Sequence, residues 1–386
     1  MYAFSRIWQK KPLFYSERGA ACAAAHMCGG AGEVSMGYSA RFSALALKQE
    51  PVILGIESSC DETAAAVVRG RKLLSNVVLS SAAEQAKYGG VVPEIASRAH
   101  TDAIERAVLS AVREAGIQNG DINAVAVTYG AGLLGALLVG LSFAKSFAYA
   151  LNVPLIAVDH IRGHMAAAYL ADETLEPPFI TLLASGGHTA VLYTEDYTSF
   201  EILGSTRDDA AGEAFDKAAR VLGLPYPGGP SVEKLAREGE ANIEFPKMFR
   251  GNGYDFSYSG LKTAVLNYCH NREQKGEAYS RADVAASFQA AACGALCERA
   301  VAAAKEKNCK TIAAGGGVIA NGYLRGLLEQ ACAAEGIKLV LPEKKYCTDN
   351  AAMIAAEGLL QYRAKNFADL SINACAHIPL GRKGKQ

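Results

Sequence analysis

Ten cysteines occur in this chain, yet no two of them form a C-x-x-C pair. The closest two, Cys293 and Cys297, fall in an Ala-rich stretch and read as small buried residues. That argues against a cysteine zinc finger or a disulfide framework and fits a reducing, cytosolic compartment. Net charge is lacking as well. The 39 Lys and Arg balance 39 Asp and Glu, so the chain as a whole attracts neither nucleic acid nor membrane, and any polyanion must be met by a local patch. Histidine is scarce, with seven in 386 residues. Two of these seven stand close together, and the rest of the reading turns on them.

Val153 to Val158 reads as a short buried strand, and Asp159 is placed to cap a helix that starts at once. On that helix His160 and His164 leave the same face one turn apart, at the C-terminal end of a strand, where open α/β folds bind ligands. Two unrelated histidines on an amphipathic helix fit the spacing equally. The spacing is that of half a zincin helix, but Ile161 stands where H-E-x-x-H has its Glu, so the general base of a metalloprotease is missing. A metal site here needs a third ligand from elsewhere.

Length points to two lobes. Residues 1–51 are basic, with Arg6, Lys10, Lys11, Arg18, Arg41 and Lys48 against Glu17, Glu33 and Glu50. They hold no apolar core suited to a signal peptide or membrane span, and are expected to be a disordered leader or the product of an upstream start codon, with Met36 as an alternative start. Lobe I is expected over 52–158, joined by a C-terminal helix 360–386, and lobe II over 159–359.

Val52 to Ile56, a polar turn carrying Ser58, Ser59, Asp61 and Glu62, and Thr63 to Val68 make a hairpin. Phe179 to Ala184, then Ser185-Gly186-Gly187-His188, then Thr189 to Thr194 repeat the unit. Either alone is an ordinary tight hairpin. The pair suggests facing lobes that clamp a phosphate-bearing ligand on backbone N–H groups. The apolar stretch Leu133 to Leu151 is interrupted by Gly135, Gly140 and Lys145, and reads as a buried crossover helix rather than a membrane span. His100 and Asp102 are placed to reach a metal, or to lie on an exposed helix face. Asp209, Glu213 and Asp216 are spaced to share a helix face, with Asp216 free to hold ligand hydroxyls. Gly229, in a Pro-Gly turn, leaves bare backbone for a ligand ring, and the strand, Gly315-Gly316-Gly317 and helix run ending at Asn321 has phosphate-site form. Asp349 fits a helix N-cap or the missing third ligand.

Taken together these segments resemble the tRNA N6-adenosine threonylcarbamoyltransferase family, once labelled O-sialoglycoprotein endopeptidases. The resemblance is carried by Gly55 to Thr63, Tyr88 to Glu94, His160-x-x-x-His164, Ser185 to Thr189, Asp208 to Lys217, Asp255 to Lys262, Gly315 to Asn321 and Cys347 to Asn350, in that order over about residues 52–380. It implies an α/β, actin-like and Hsp70-like two-lobe fold built from a duplicated β-hairpin–α unit, with the ligand in the interlobe cleft. It further implies one divalent metal on His160, His164 and Asp349, iron(II) first and zinc second; the ligand set alone selects neither. Leu183, Ala184, Ser185, Gly186, Gly187, Asp216, Gly229 and Asn321 are implied contacts of threonylcarbamoyl-AMP. Asp61 or Glu62 would orient the attacking amine of the tRNA adenosine.

The family's bacterial members imply a paralogous non-catalytic subunit and a small ATPase as partners, a cytoplasmic location and no membrane. Ala131 and Gly322 depart from the family pattern without touching the inferred ligands. For tRNA, Lys217, Arg220, Lys262, Lys344, Lys345 and the tail Arg382-Lys383-Lys385 are candidate phosphate contacts. An ATP-dependent kinase or ATPase of the same fold, a zinc endopeptidase and a non-catalytic partner protein are the rival readings.

Overall fold

A computed structural model of the chain describes residues 37–88, 90–246 and 253–380. The leader up to Met36, Gly89 of the Tyr88 to Glu94 motif, and the tail lysines and arginine lie outside the described residues.

Two five-stranded sheets repeat one topology. In the first, β1 (Val52–Glu57) pairs antiparallel with β2 (Glu62–Arg69), and β2 with β3 (Lys72–Ser80). On the other side of β1, β4 (Ala124–Gly130) and β5 (Leu155–Asp159) add in parallel, giving the order β3-β2-β1-β4-β5. In the second, β6 (Phe179–Ala184), β7 (Thr189–Thr194) and β8 (Phe200–Ser205) form the antiparallel run, and β9 (Thr311–Gly315) and β10 (Lys338–Val340) the parallel side, giving β10-β9-β6-β7-β8. The central strands β1 and β6 are buried along their whole length, which is why they read as unbroken apolar runs. The hairpin repeat of the sequence is therefore a duplication of whole sheets.

The crossover from β4 to β5 is the helix Leu134–Leu151. It is long and apolar enough to cross a membrane by composition, but here it packs Ala136, Leu137, Leu141, Ala144 and Ala148 inward. The expectation of a buried helix needs correction, because Leu134, Leu138 and Tyr149 are exposed on its outer side.

Three further expectations change. The leader does not stay apart up to residue 51: Tyr38 and Phe42 are buried in the core of the first sheet, and the Tyr38 hydroxyl lies 2.8 Å from both the Ala148 and Val153 carbonyls. The C-terminal helix is Ala351–Arg363, ended by Lys365 at φ 56°, and the described chain beyond it returns to the first sheet in extended form through Ala368 to Leu155 and Cys375 to Tyr129. Its first part was assigned to the second lobe; instead the helix rests on β1, β2 and β4. Gly55 permits this, since a Cβ there would stand 2.5 Å from the Ala351 carbonyl.

That helix buries Glu357, which is 3 % exposed. Gln361 donates to its carboxylate at 2.6 Å and Arg162 stands 3.7 Å away. Burial raises the Glu357 carboxyl to about 7 against the pull of Arg162 and Gln361. Unfolded, the group titrates near the ordinary 4.5, so folding takes up a proton between these values and wild-type stability falls as pH rises through that window. The loss amounts to roughly 3 kcal/mol. Glu357→Gln should remove it, giving a Tm advantage over wild type that grows from about pH 5 to about pH 7. Denaturation curves that differ by the same amount at every pH would refute this.

Candidate metal and acyl-donor site

The strand β5 ends in Asp159, whose carboxylate accepts from the Ile161 N–H at 2.9 Å and starts the helix His160–Ala166 as its N-cap. One turn of that helix sets the two imidazoles together, with ring centroids 4.7 Å apart. At the start of the C-terminal helix, Asn350 takes the capping role by accepting from the Met353 N–H. Asp349 is thereby released from capping. Its Oδ1 lies 3.4 Å from His160 Nε2 and 3.3 Å from His164 Nε2. Among the described residues these three form the cluster able to hold a metal ion, with one ligand atom of each within 4.8 Å of the others. Two donors on one divalent ion with bonds of about 2.0–2.1 Å stand roughly 3–3.4 Å apart, so the carboxylate-to-imidazole separations fit a shared ion.

Behind His160 sits a carboxylate that the sequence reading passed over as part of a polar turn. Glu57 is the last residue of β1 and fully buried. Its Oε1 accepts from the Ser59 N–H at 2.5 Å and its Oε2 from the Thr128 hydroxyl at 2.6 Å. The same Oε2 stands 3.2 Å from His160 Nδ1, leaving Nε2 to face Asp349. Burial alone would push the His160 imidazolium toward losing its proton, but Asp349 and Glu57 outweigh it and hold the group well above the ordinary value. Burial would likewise raise Asp349 and Glu57, and here the facing imidazoles win and lower both. Without a cation the centre is thus a protonated histidine clamped between two carboxylates. His164 has no such support: its Nδ1 is buried without a hydrogen bond among the described residues.

The second hairpin turn faces this centre. Ser185 N–H donates to the His188 carbonyl, and Gly186 and Gly187 leave open space where side chains would stand. His188 is lowered to about 4 by burial and then by His160, His164 and His377, so it is neutral at physiological pH. Gly315, at the end of β9, lets the His164 carbonyl approach to 2.1 Å of where a Cβ would be.

A cavity of about 460 Å³ opens beside the turn and gathers Gly186, Asp216, Gly229 and Asn321 on one wall set. Leu183 and Ala184 are core residues, so only their backbone is available to a ligand. The Asn321 side chain is committed to capping Leu324 N–H and to Gln289. The shared acidic face needs correction: the helix starts at Ala211, so Asp209 precedes it, and Lys217 pairs with both Asp209 and Glu213 at 2.6 Å. Asp216 faces the cavity instead and accepts from the Gly228 N–H at 2.7 Å. Gly229 lies in the first turn of the helix Gly228–Ala236 rather than in a free turn. Phe215 and Thr348, from two of the segments that carry the resemblance, and Lys344, a candidate phosphate contact, also line the cavity, together with Glu233 and Arg237, which no local pattern signals. His100 is no ligand, since its ring nitrogens are taken by Thr63 at 2.7 Å and the Cys60 carbonyl at 2.9 Å. Asp61 ends the first hairpin turn and Glu62 opens β2, where burial and then Asp61 raise the Glu62 carboxyl to about 9.

A profile described as tRNA N6-adenosine threonylcarbamoyltransferase matches residues 72–356. The chain belongs to that family. A protein of that name from Moorella thermoacetica is 53% identical over 337 residues, covering 86% of this chain and 98% of its own. One from Clostridium perfringens (strain SM101) is 51% identical over 335 residues, covering 86% and 99%. Among solved structures, T. kodakarensis HypF superposes with a TM-score of 0.58 at 17% identity over 82% of this chain and 48% of that one. Full-length HypF in its phosphate- and nucleotide-bound form gives 0.57 at 17% identity, over 82% and 47%. These likenesses show the fold: an α/β, actin-like pair of lobes.

Two outcomes follow for the metal centre. Glu57→Gln should weaken binding of a divalent ion by roughly tenfold or more, since removing a carboxylate that orients a ligand histidine typically does so. Calorimetric titration measures this, and an unchanged affinity in a folded variant would exclude the orienting role. Because His160 must shed its proton to bind an ion, titration in buffers of different ionisation enthalpy should show about one proton released per metal, with affinity rising as pH rises toward the raised His160 value. Proton-neutral binding would contradict the clamp.

Proposed function

We propose that the chain transfers the threonylcarbamoyl group from threonylcarbamoyl-AMP to N6 of the adenosine 3′-adjacent to the anticodon in tRNAs reading ANN codons. The observation that carries this reading is the placement of Asp349, 3.3 and 3.4 Å from two histidines, beside a cavity holding Asp216 and the Gly186 turn. In the reaction the N6 lone pair attacks the carbamoyl carbon and an N–C bond forms. The bond from that carbon to the phosphate oxygen breaks, AMP leaves with the electron pair, and N6 gives up a proton.

The protein's part is largely positional. Asp216, pushed up by burial and held by the Gly228 N–H, offers a carboxylate edge to ribose hydroxyls. The N–H groups around Gly186 and Gly187 meet phosphoryl and carbonyl oxygens as charge develops. Asp61 or Glu62 would orient the acceptor amine; Glu62, raised to about 9 by burial and by its hydrogen bond with Asp61, is not the group that takes the amine's proton. His160, His164 and Asp349 would hold a divalent metal, iron(II) by preference or zinc, which when bound polarises the donor as a Lewis acid. The lobe of the first sheet, with the helix Ala351–Arg363 on it, and the lobe of the second sheet would close on the donor, and a paralogous non-catalytic subunit with a small ATPase would complete the tRNA surface in the cytoplasm. An endopeptidase is disfavoured because Ile161 stands where H-E-x-x-H has its Glu, and the buried Glu57 is engaged with His160 Nδ1.

Single-turnover transfer of labelled threonylcarbamoyl from its adenylate to an anticodon stem–loop RNA tests this. Wild type should transfer, and His160→Ala and Asp349→Asn should lose metal and at least a hundredfold of the rate together. A metal-replete wild type that transfers nothing with its partners present, yet hydrolyses ATP or peptide, would sink the reading.

A further inference from the structure

We infer that a second cavity, between β3 and the loop 345–349, is the acceptor subsite and receives the adenine base of the RNA. The inference rests on the donor reading above, in which the adenylate fills the cavity of Asp216 and Asn321.

The two cavities meet at one short segment. Thr348 lines both, while Asp349 and Glu62 line the second. A reacting carbonyl seated beside Thr348, where the two cavities meet, is therefore open to a nucleophile from the second cavity without crossing the volume that the leaving nucleotide occupies. At about 730 Å³ the second cavity falls within the range of small-molecule sites, roughly 300–1,000 Å³. A base in an RNA loop can be splayed out of its stack into such a space.

Its walls match a purine in kind. Leu74 and Val78 come from β3, an edge strand that leaves Val78 39 % exposed, and the Tyr346 ring comes from the loop. Aliphatic and aromatic faces of this type hold bases by stacking whatever the neighbouring sequence. Between them Asn76 accepts from the Ala352 N–H at 3.1 Å through Oδ1, and its amide NH2 makes no hydrogen bond among the described residues. That donor suits a ring nitrogen of adenine, a pairing Asn makes with this base elsewhere. Lys345, paired with Glu343 at 2.9 Å and mostly exposed, covers one face of the Tyr346 ring at 4.8 Å, so a base would stack on the other face with the ammonium near its backbone phosphate. Glu62 would then lie on the amine side of the base, between it and Asp349.

An anticodon stem–loop RNA with 8-azidoadenosine at the acceptor position, irradiated on the full chain with its partners, tests the assignment. The adduct should map by mass spectrometry to Leu73–Val78 or Lys345–Tyr346, and saturating AMP should not abolish it. Adducts confined to other segments, no adduct at all, or one abolished by AMP would overturn the subsite. As a second readout, Val78→Trp fills the cavity and should raise the KM for the RNA at least tenfold, with AMP affinity changed less than twofold. An unchanged KM in the folded variant overturns the inference too. A wild type that cross-links in the cavity yet never transfers would sink the donor reading and leave the subsite standing.

Discussion

One carboxylate oxygen ties the molecule together. Asp349 Oδ1 reaches both His160 and His164, and these residues arrive from opposite directions. The histidines follow β5 of the first sheet, while Asp349 ends the loop that leaves β10 of the second. The contact needs Gly55, which lets the C-terminal helix press on β1, and Asn350, which caps that helix in Asp349's place. An ion bound there would fasten the end of one sheet to a loop of the other. Glu57 then explains why a cation is wanted. Two carboxylates around one imidazole are stable only if a positive charge lies between them, supplied by a proton when no ion is present.

How legible was this in the chain? The hairpins were legible almost to the residue, because apolar runs buried on both faces stop at polar or Gly-rich turns, and those signals are local. The histidine pair was legible as a pair, since helical spacing fixes which face it shares. Asp349 was undecided on its own, as capping and ligation use the same residue type at the same place. The decision lay one residue on, in Asn350, and showed only once the helix was packed. Glu57 was missed because its meaning depends on a partner 103 residues away. The same distance effect hid Tyr38, whose hydroxyl partners lie 110 and 115 residues downstream.

The acidic run at Asp208 to Asp216 failed for a different reason. Ala210-Ala211 gives no start signal, and the helix begins at Ala211, which leaves Asp209 off the face that the spacing predicts for it. With the start at Ala211, Asp209 and Glu213 are neutralised by Lys217, and Asp216 alone is left to the cavity. Asp216, the one of the three expected to serve a ligand, is the one that lines the cavity.

The duplication itself carries a final consequence. β1–β2 and β6–β7 occupy equivalent places in sheets of identical order, yet their turns differ in charge. The first presents Asp61 and Glu62, and the second presents the bare backbone of Gly186 and Gly187. A phosphate meets carboxyl groups at the first turn, where Glu62 is raised to about 9, and N–H donors at the other. On the proposed reading, that asymmetry would turn the anionic end of the donor toward the second sheet. The donor's reacting carbon would then lie toward the histidines and the acidic turn. In that orientation the side of β3 would be left for the uncharged amine, and the symmetric scaffold would become directional through the residues of two turns.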